Sequence, residues 1–175
     1  MIKLNLQFFA TKIMRFQVAD YLKVTPKGGT TAAYYLMGTG FTKLDESPSP
    51  KVNSNAFIND KNGSATITGY ENTFAYDTQL MSGADAEAIG ALVAVGHDQL
   101  TGEAAEFSFV RVDLFDRVGT EGTVYVAREF KVCCEVGDVS GDPTDIMATS
   151  GTLHQIGNFT RGTFDTSTKT FTASA

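Results

Sequence analysis

Tryptophan is absent from this chain, histidine occurs only at positions 97 and 154, and the two cysteines, Cys133 and Cys134, are neighbours. Each scarcity excludes something. Sugar-binding surfaces favour exposed aromatic platforms, and the largest of these is missing. Two histidines and a single cysteine pair do not supply the ligand spacing of a zinc site. Neighbouring residues on a strand point to opposite faces, so a bond between Cys133 and Cys134 would be strained. The pair reads either as two reduced structural thiols or as a vicinal redox device. No apolar run approaches the roughly twenty residues that cross a bilayer, so no membrane partner is expected. The opening MIKLNLQFFATKIMRF has its apolar core interrupted by Asn5 and Gln7, and no small-residue cleavage site follows, unlike a signal peptide. Synthesis in a cytoplasm is therefore expected, and the sequons at Asn62 and Asn158 read as chance.

Basic residues are also few, 14 Lys and Arg against 20 Asp and Glu in 175 residues, for a net charge of -6. The imbalance is uneven. Residues 1–60 carry seven basic and four acidic side chains, and residues 61–175 carry seven and sixteen. Affinity for phosphates comes mainly from Lys and Arg, so an acidic majority argues against specific nucleic-acid binding. Catalytic arrangements are missing as well. No Gly-x-Ser-x-Gly elbow accompanies the histidines, and the glycine pairs lack phosphate-loop spacing. His97-Asp98 has no third ligand nearby in sequence. Asp138, Asp142 and Asp145 could hold calcium or form an acidic turn, but they lack a calcium-loop spacing with a terminal Glu. No enzyme, cofactor or metal is expected.

What is present is strand periodicity. Apolar and polar residues alternate through Ile2, Leu4, Leu6 and Phe8, and such a strand needs a partner to avoid aggregation. Further strands are expected over 14–24, 33–36, 65–70, 73–80, 106–115 (with a bulge where the apolar phase shifts), 123–136 and 151–156. A terminal hairpin follows, 160–164 with 169–173. On the strand over 123–136, Val124, Val126, Phe130 and Val132 should face the core, which sends Glu129 and Glu135 to the opposite side. One helix is expected over 83–95, capped by Ser82, with Ala88, Ile89, Leu92, Val93 and Val95 as its apolar stripe and Gly96 as its end. Many antiparallel strands and one helix define a mainly β (α+β) chain, a β-sandwich or barrel with a flanking helix. Between the early strands, Leu44–Lys61 reads as a long polar loop containing Phe57 and Ile58. Unstructured loops of that length are uncommon in compact domains unless functional or disordered.

The order Gly40-Phe41-Thr42-Lys43-Leu44-Asp45-Glu46-Ser47-Pro48-Ser49-Pro50-Lys51, then Phe57-Ile58-Asn59, then Asn62-Gly63-Ser64, then a strand ending Gly69-Tyr70-Glu71, resembles the major tail (tail tube) proteins of long-tailed phages of Gram-positive bacteria. The likeness continues more loosely through the helix near Ala84 and the Gly157–Phe164 segment. The opening MIKLNLQFFA also resembles the start of several structural proteins of such phages. Against the family pattern, the residues before Met14 form a longer extension than expected, and Met14 is a second candidate start.

The resemblance implies a virion protein on a tail-tube type of β-sandwich or barrel. Such proteins form rings, generally hexameric, stacked into a hollow tube through which DNA leaves the capsid, with no chemistry required. Expected partners are further copies of itself, tail completion or tip proteins, the tape-measure protein, and viral DNA passing without specific binding. A non-contractile, flexible tail is implied by resemblance alone. The expected organisation is an arm, residues 1–13, and one β-rich domain, residues 14–175. Subunit-interface candidates are Ile2, Leu4, Leu6, Phe8, Leu44, Phe57 and Ile58. Lumen-facing candidates are Glu129 and Glu135, then Glu106 and Asp113. Rival readings are capsid decoration, a secreted carbohydrate-binding β-sandwich, and an enzyme on a jelly roll.

Overall fold

A computed structural model describes residues 12–174. The strands are β1 (Val18–Val24), β2 (Ala33–Leu36), β3 (Phe41–Ser47), β4 (Pro50–Asn55), β5 (Ser64–Tyr70), β6 (Thr73–Gln79), β7 (Glu106–Arg117), β8 (Val124–Ser140), β9 (Ala148–Asp165) and β10 (Thr170–Ala173). Among the described residues there is one α-helix, α1 (Glu87–His97). Eight strands form one antiparallel sheet in the order β2-β1-β7-β8-β9-β6-β3, with β10 paired on β9. β4 and β5 pair only with each other. This is the mainly antiparallel β architecture with a flanking helix that the periodicity predicts.

Both faces of the sheet are covered, which explains the phase shift in β7. Phe109 packs with Leu22, Phe74, Phe130, Val132, Cys134 and Leu153 beneath α1. Its neighbour Val110 packs on the other side with Tyr21, Val112, Ala127 and Phe164. The apolar phase changes because successive residues serve two cores, and β7 pairs regularly from Glu106 to Asp113. The expected bulge lies further on, between Asp113 and Arg117.

The helix begins later than Ser82 predicts. Gly83 adopts φ +125°, a 3-10 turn over Ala84–Ala86 follows, and no side chain caps the start of α1. Ala88, Ile89, Leu92 and Val95 are buried, as the stripe requires, whereas Val93 is half-buried and Gly96 lies inside the helix. The two predicted strands at 151–156 and 160–164 are one strand. The register of β9 against β8 jumps between Lys131↔Ile156 and Glu129↔Thr160, and Gly157 supplies the left-handed φ of +66° that this bulge needs. Gly151 faces Tyr76 across β6 and β9, and any Cβ there would collide with the Tyr76 ring and the Glu135 carbonyl.

Candidate functional site

Leu44–Lys61 is not a loop. Its first residues complete β3, and β4 then pairs with β5 as a hairpin with no core beneath it. Val52 lies opposite Ile67, both more than half exposed, and Tyr70 is exposed nearby. At the tip, the Asp60 N–H donates to the Phe57 carbonyl at 2.9 Å. That turn holds Phe57 and Ile58 in solvent, at 69% and 109% exposure. β5 is the strand expected over 65–70, whereas hydropathy hides β4, because an element with two wet faces has no apolar period. Ile67 on β5 faces solvent. A two-stranded hairpin alone is marginally stable in water, and this one leaves its apolar side chains exposed.

Leu44, expected at an interface, is 4% exposed and belongs to the core. It lies on the inner face of β3 opposite Tyr76, which is why its side chain is unavailable to another subunit. Ile2, Leu4, Leu6 and Phe8 lie outside the described residues. The chain enters the fold through an exposed turn, Ile13–Phe16, that carries Arg15.

Beside Leu44 is a buried ionic cluster. Arg111 Nε donates to Asp20 Oδ1 at 2.7 Å, and its Nη1 to Glu46 Oε2 at 3.1 Å. Arg128 grips both oxygens of Glu46, at 2.8 and 2.9 Å. Arg15 Nη2 reaches Asp20 Oδ2 at 2.6 Å, and Arg111 also donates to the Leu44 carbonyl at 3.1 Å. The sheet thus curls until β3 meets β7 and β8 across its interior. Burial alone would raise the Glu46 carboxyl, but the hydrogen bonds and charges of Arg128 and Arg111 outweigh it and hold it below the usual carboxylate range. The signal in the sequence is a charge in an apolar run, Phe109-Val110-Arg111-Val112, and sequence reasoning missed it.

The lumen candidates do not form one set. Register puts Glu106, Glu129 and Glu135 on one face, as alternation predicts. The same face is apolar at the start of β8, where Tyr125 and Ala127 enter the second core. Glu129 is half-buried and accepts the Tyr34 hydroxyl at 2.5 Å. Glu135 is exposed and 2.6 Å from His154 Nε2. Glu106 pairs with Lys131 at 2.6 Å. Asp113 is on the opposite face beside Arg111 and Arg128, where burial raises its carboxyl despite those charges.

Cys134 is buried and Cys133 half-buried, both as free thiols. Burial pushes the Cys134 thiol up to about 11, only partly offset by its contact with the Tyr76 hydroxyl. Among the described residues, no three His, Cys, Asp or Glu side chains are grouped to hold a metal ion. Nor is any described helix long and apolar enough to cross a membrane.

No protein-family model and no curated protein matches this sequence. Among solved structures, the chain is similar to one in a cryo-EM structure of the anti-feeding prophage baseplate, with a TM-score of 0.49 and 6% identity. The match covers 87% of this chain and 97% of that chain.

Proposed function

We propose that this chain is a structural protein of a phage virion, and specifically a tail tube subunit that stacks in rings to form a conduit for DNA. The observation that carries this reading is the β4–β5 hairpin, which stands off the sheet with Val52, Phe57, Ile58, Ile67 and Tyr70 exposed. Its residues are the ones whose order resembles the tail tube family. Burying those five side chains against a neighbour removes apolar surface at about 25 cal/mol per Å², a drive the isolated subunit leaves unused.

Two further features support the same reading. The sheet is curled and clamped, so it offers a rigid body for repeated docking. Glu106, Glu129 and Glu135 share one face, where an exposed carboxylate such as Glu135 would disfavour DNA phosphates if that face lined the bore. The arm, residues 1–13, and the hairpin are the assembly elements, and residues 14–175 form the body. The partners are other copies of the chain, the tail's terminating proteins and tape measure, and DNA in transit. No catalytic step is involved. Negative-stain microscopy of purified protein tests the proposal: hollow tubes support it, and a monodisperse monomer at high concentration overturns it.

A further inference from the structure

A row of charged side chains crosses four neighbouring strands. By register, Asp20 on β1 faces Arg111 on β7, Arg111 faces Arg128 on β8, and Arg128 faces Arg161 on β9. Like charges directly opposite each other destabilise a sheet. Asp20 and Glu46 neutralise Arg111 and Arg128, whereas the exposed Arg161 side chain makes no ion pair among the described residues. Its guanidinium lies 5.6 Å from the ring centre of Phe159, which is 38% exposed and packs on Phe130. An exposed aromatic ring beside an arginine with free donors is the composition that concentrates binding energy at protein interfaces.

The far end of the same strands carries the opposite charge. The end of β8 carries Asp138, and the connection to β9 carries Asp142 and Asp145, all exposed and without an ion pair among the described residues. Ile146 and Met147 beside them are 64% and 50% exposed. Arg128 and Asp138 are both on β8, and at about 3.3 Å per residue they lie roughly 33 Å apart. Two complementary surfaces separated by that distance along one strand pair do not meet within a subunit.

We infer that the Phe159–Arg161 surface of one copy receives the Asp138–Asp145 segment of the next copy. The unpaired guanidinium then gains carboxylates, and Ile146 and Met147 cover Phe159. A contact between different patches on identical chains is head-to-tail and propagates, so it gives an axial repeat without closing. The charges set register and partner choice, and the apolar flanks supply most of the affinity. This inference rests on the assembly reading above and names the surfaces that stack.

Charge reversal tests it. Arg161→Glu alone, and Asp138, Asp142 and Asp145 all changed to Lys, should each keep the wild-type melting temperature. Each should raise the concentration at which tubes appear by about tenfold or more. The chain carrying all four changes should recover most of that loss. Wild-type assembly by Arg161→Glu, or no recovery in the combined chain, overturns the contact. Sedimentation equilibrium separates this from failure of the tube reading: wild-type chains that form no tubes, but pair head to tail in a manner Arg161→Glu abolishes, retain the contact and discard the tube.

Discussion

Glu46 on β3 and Arg128 on β8 meet through two parallel hydrogen bonds, 2.8 and 2.9 Å long, across the interior of the curled sheet. Glu46 is also two residues from Pro48, where the chain leaves the body for the hairpin, and Asn72 on the return path donates to Glu46 Oε1 at 3.3 Å. The anchor of the hairpin and the clamp of the sheet are one carboxylate. Replacing Glu46 by Ala leaves Arg111 and Arg128 facing each other without it, and removing one partner of a buried pair costs about 3–5 kcal/mol. Urea denaturation of the variant should show a loss of that order. An unchanged midpoint would mean that Arg128 finds solvent at no cost.

The same cluster predicts opposite pH effects from two carboxylates. The folded Glu46 value lies below its unfolded value of about 4.3, so its contribution is present above that pH and lost as pH falls through the folded value. Asp113 is raised, so its contribution is present below its unfolded value of about 3.9 and lost as pH rises through the folded one. Melting curves between pH 3 and pH 7 should show Glu46→Gln flattening the acid limb. Asp113→Asn should raise stability at neutral pH. Parallel curves for all three proteins would rule out the assignment.

Phe57 and Ile58 contribute nothing to the folded monomer that their exposure would allow. The double change to Ser should keep the monomer's melting temperature within about half a kcal/mol of stability, as exposed substitutions do. It should also assemble poorly by electron microscopy. Normal tubes would remove the hairpin from the assembly surface, and an unfolded product would show a packing role that the structure does not contain.

A chain begun at Met14 should fold as well as the full chain. Core strands from β1 onward pair without the arm, and Arg15, which ties the entry turn to Asp20 at 2.6 Å, is retained. Tube length or yield should fall, because the alternating apolar residues of the arm need a partner. Equal assembly with and without residues 1–13 would count against any role for the arm.

Legibility followed burial. The helical stripe and the second half of β8 are readable because each has one dry side and one wet side. At the start of β8, Tyr125 and Ala127 enter the second core, and Val124 and Val126, expected to face the core, are only half-buried. In the β4–β5 hairpin the alternation of β5 is legible, whereas β4 is not, since both its faces are wet and it looks like a polar loop. The strand of β7 is legible, but its bulge is expected too early because both faces of its middle are dry, so its apolar residues fit two phases at once. The ionic cluster was hidden by distance: Asp20, Glu46, Arg111 and Arg128 become neighbours only through the curl of the sheet. Leu44 was assigned to the surface because its polar flanks, Lys43 and Asp45, are merely the outer face of its own strand.

The last prediction concerns the wall that DNA would meet. Glu106, Glu129 and Glu135 share a face, but they differ in what a substitution would disturb. Glu129 holds the buried Tyr34 hydroxyl, so Glu129→Lys would remove that bond and confound charge with stability. Glu135 is exposed, and its contact is His154 on the same surface. Glu135→Lys should therefore keep the fold while changing the charge of the face by two units per subunit. If that face lines the bore, each ring gains cations that replace counterions on passing phosphates. Ejection should slow, and more so at low salt, where the Debye length is longest and screening weakest. Particles carrying Glu135→Lys that eject DNA at the wild-type rate at both low and high salt would place this face on the outside of the tube.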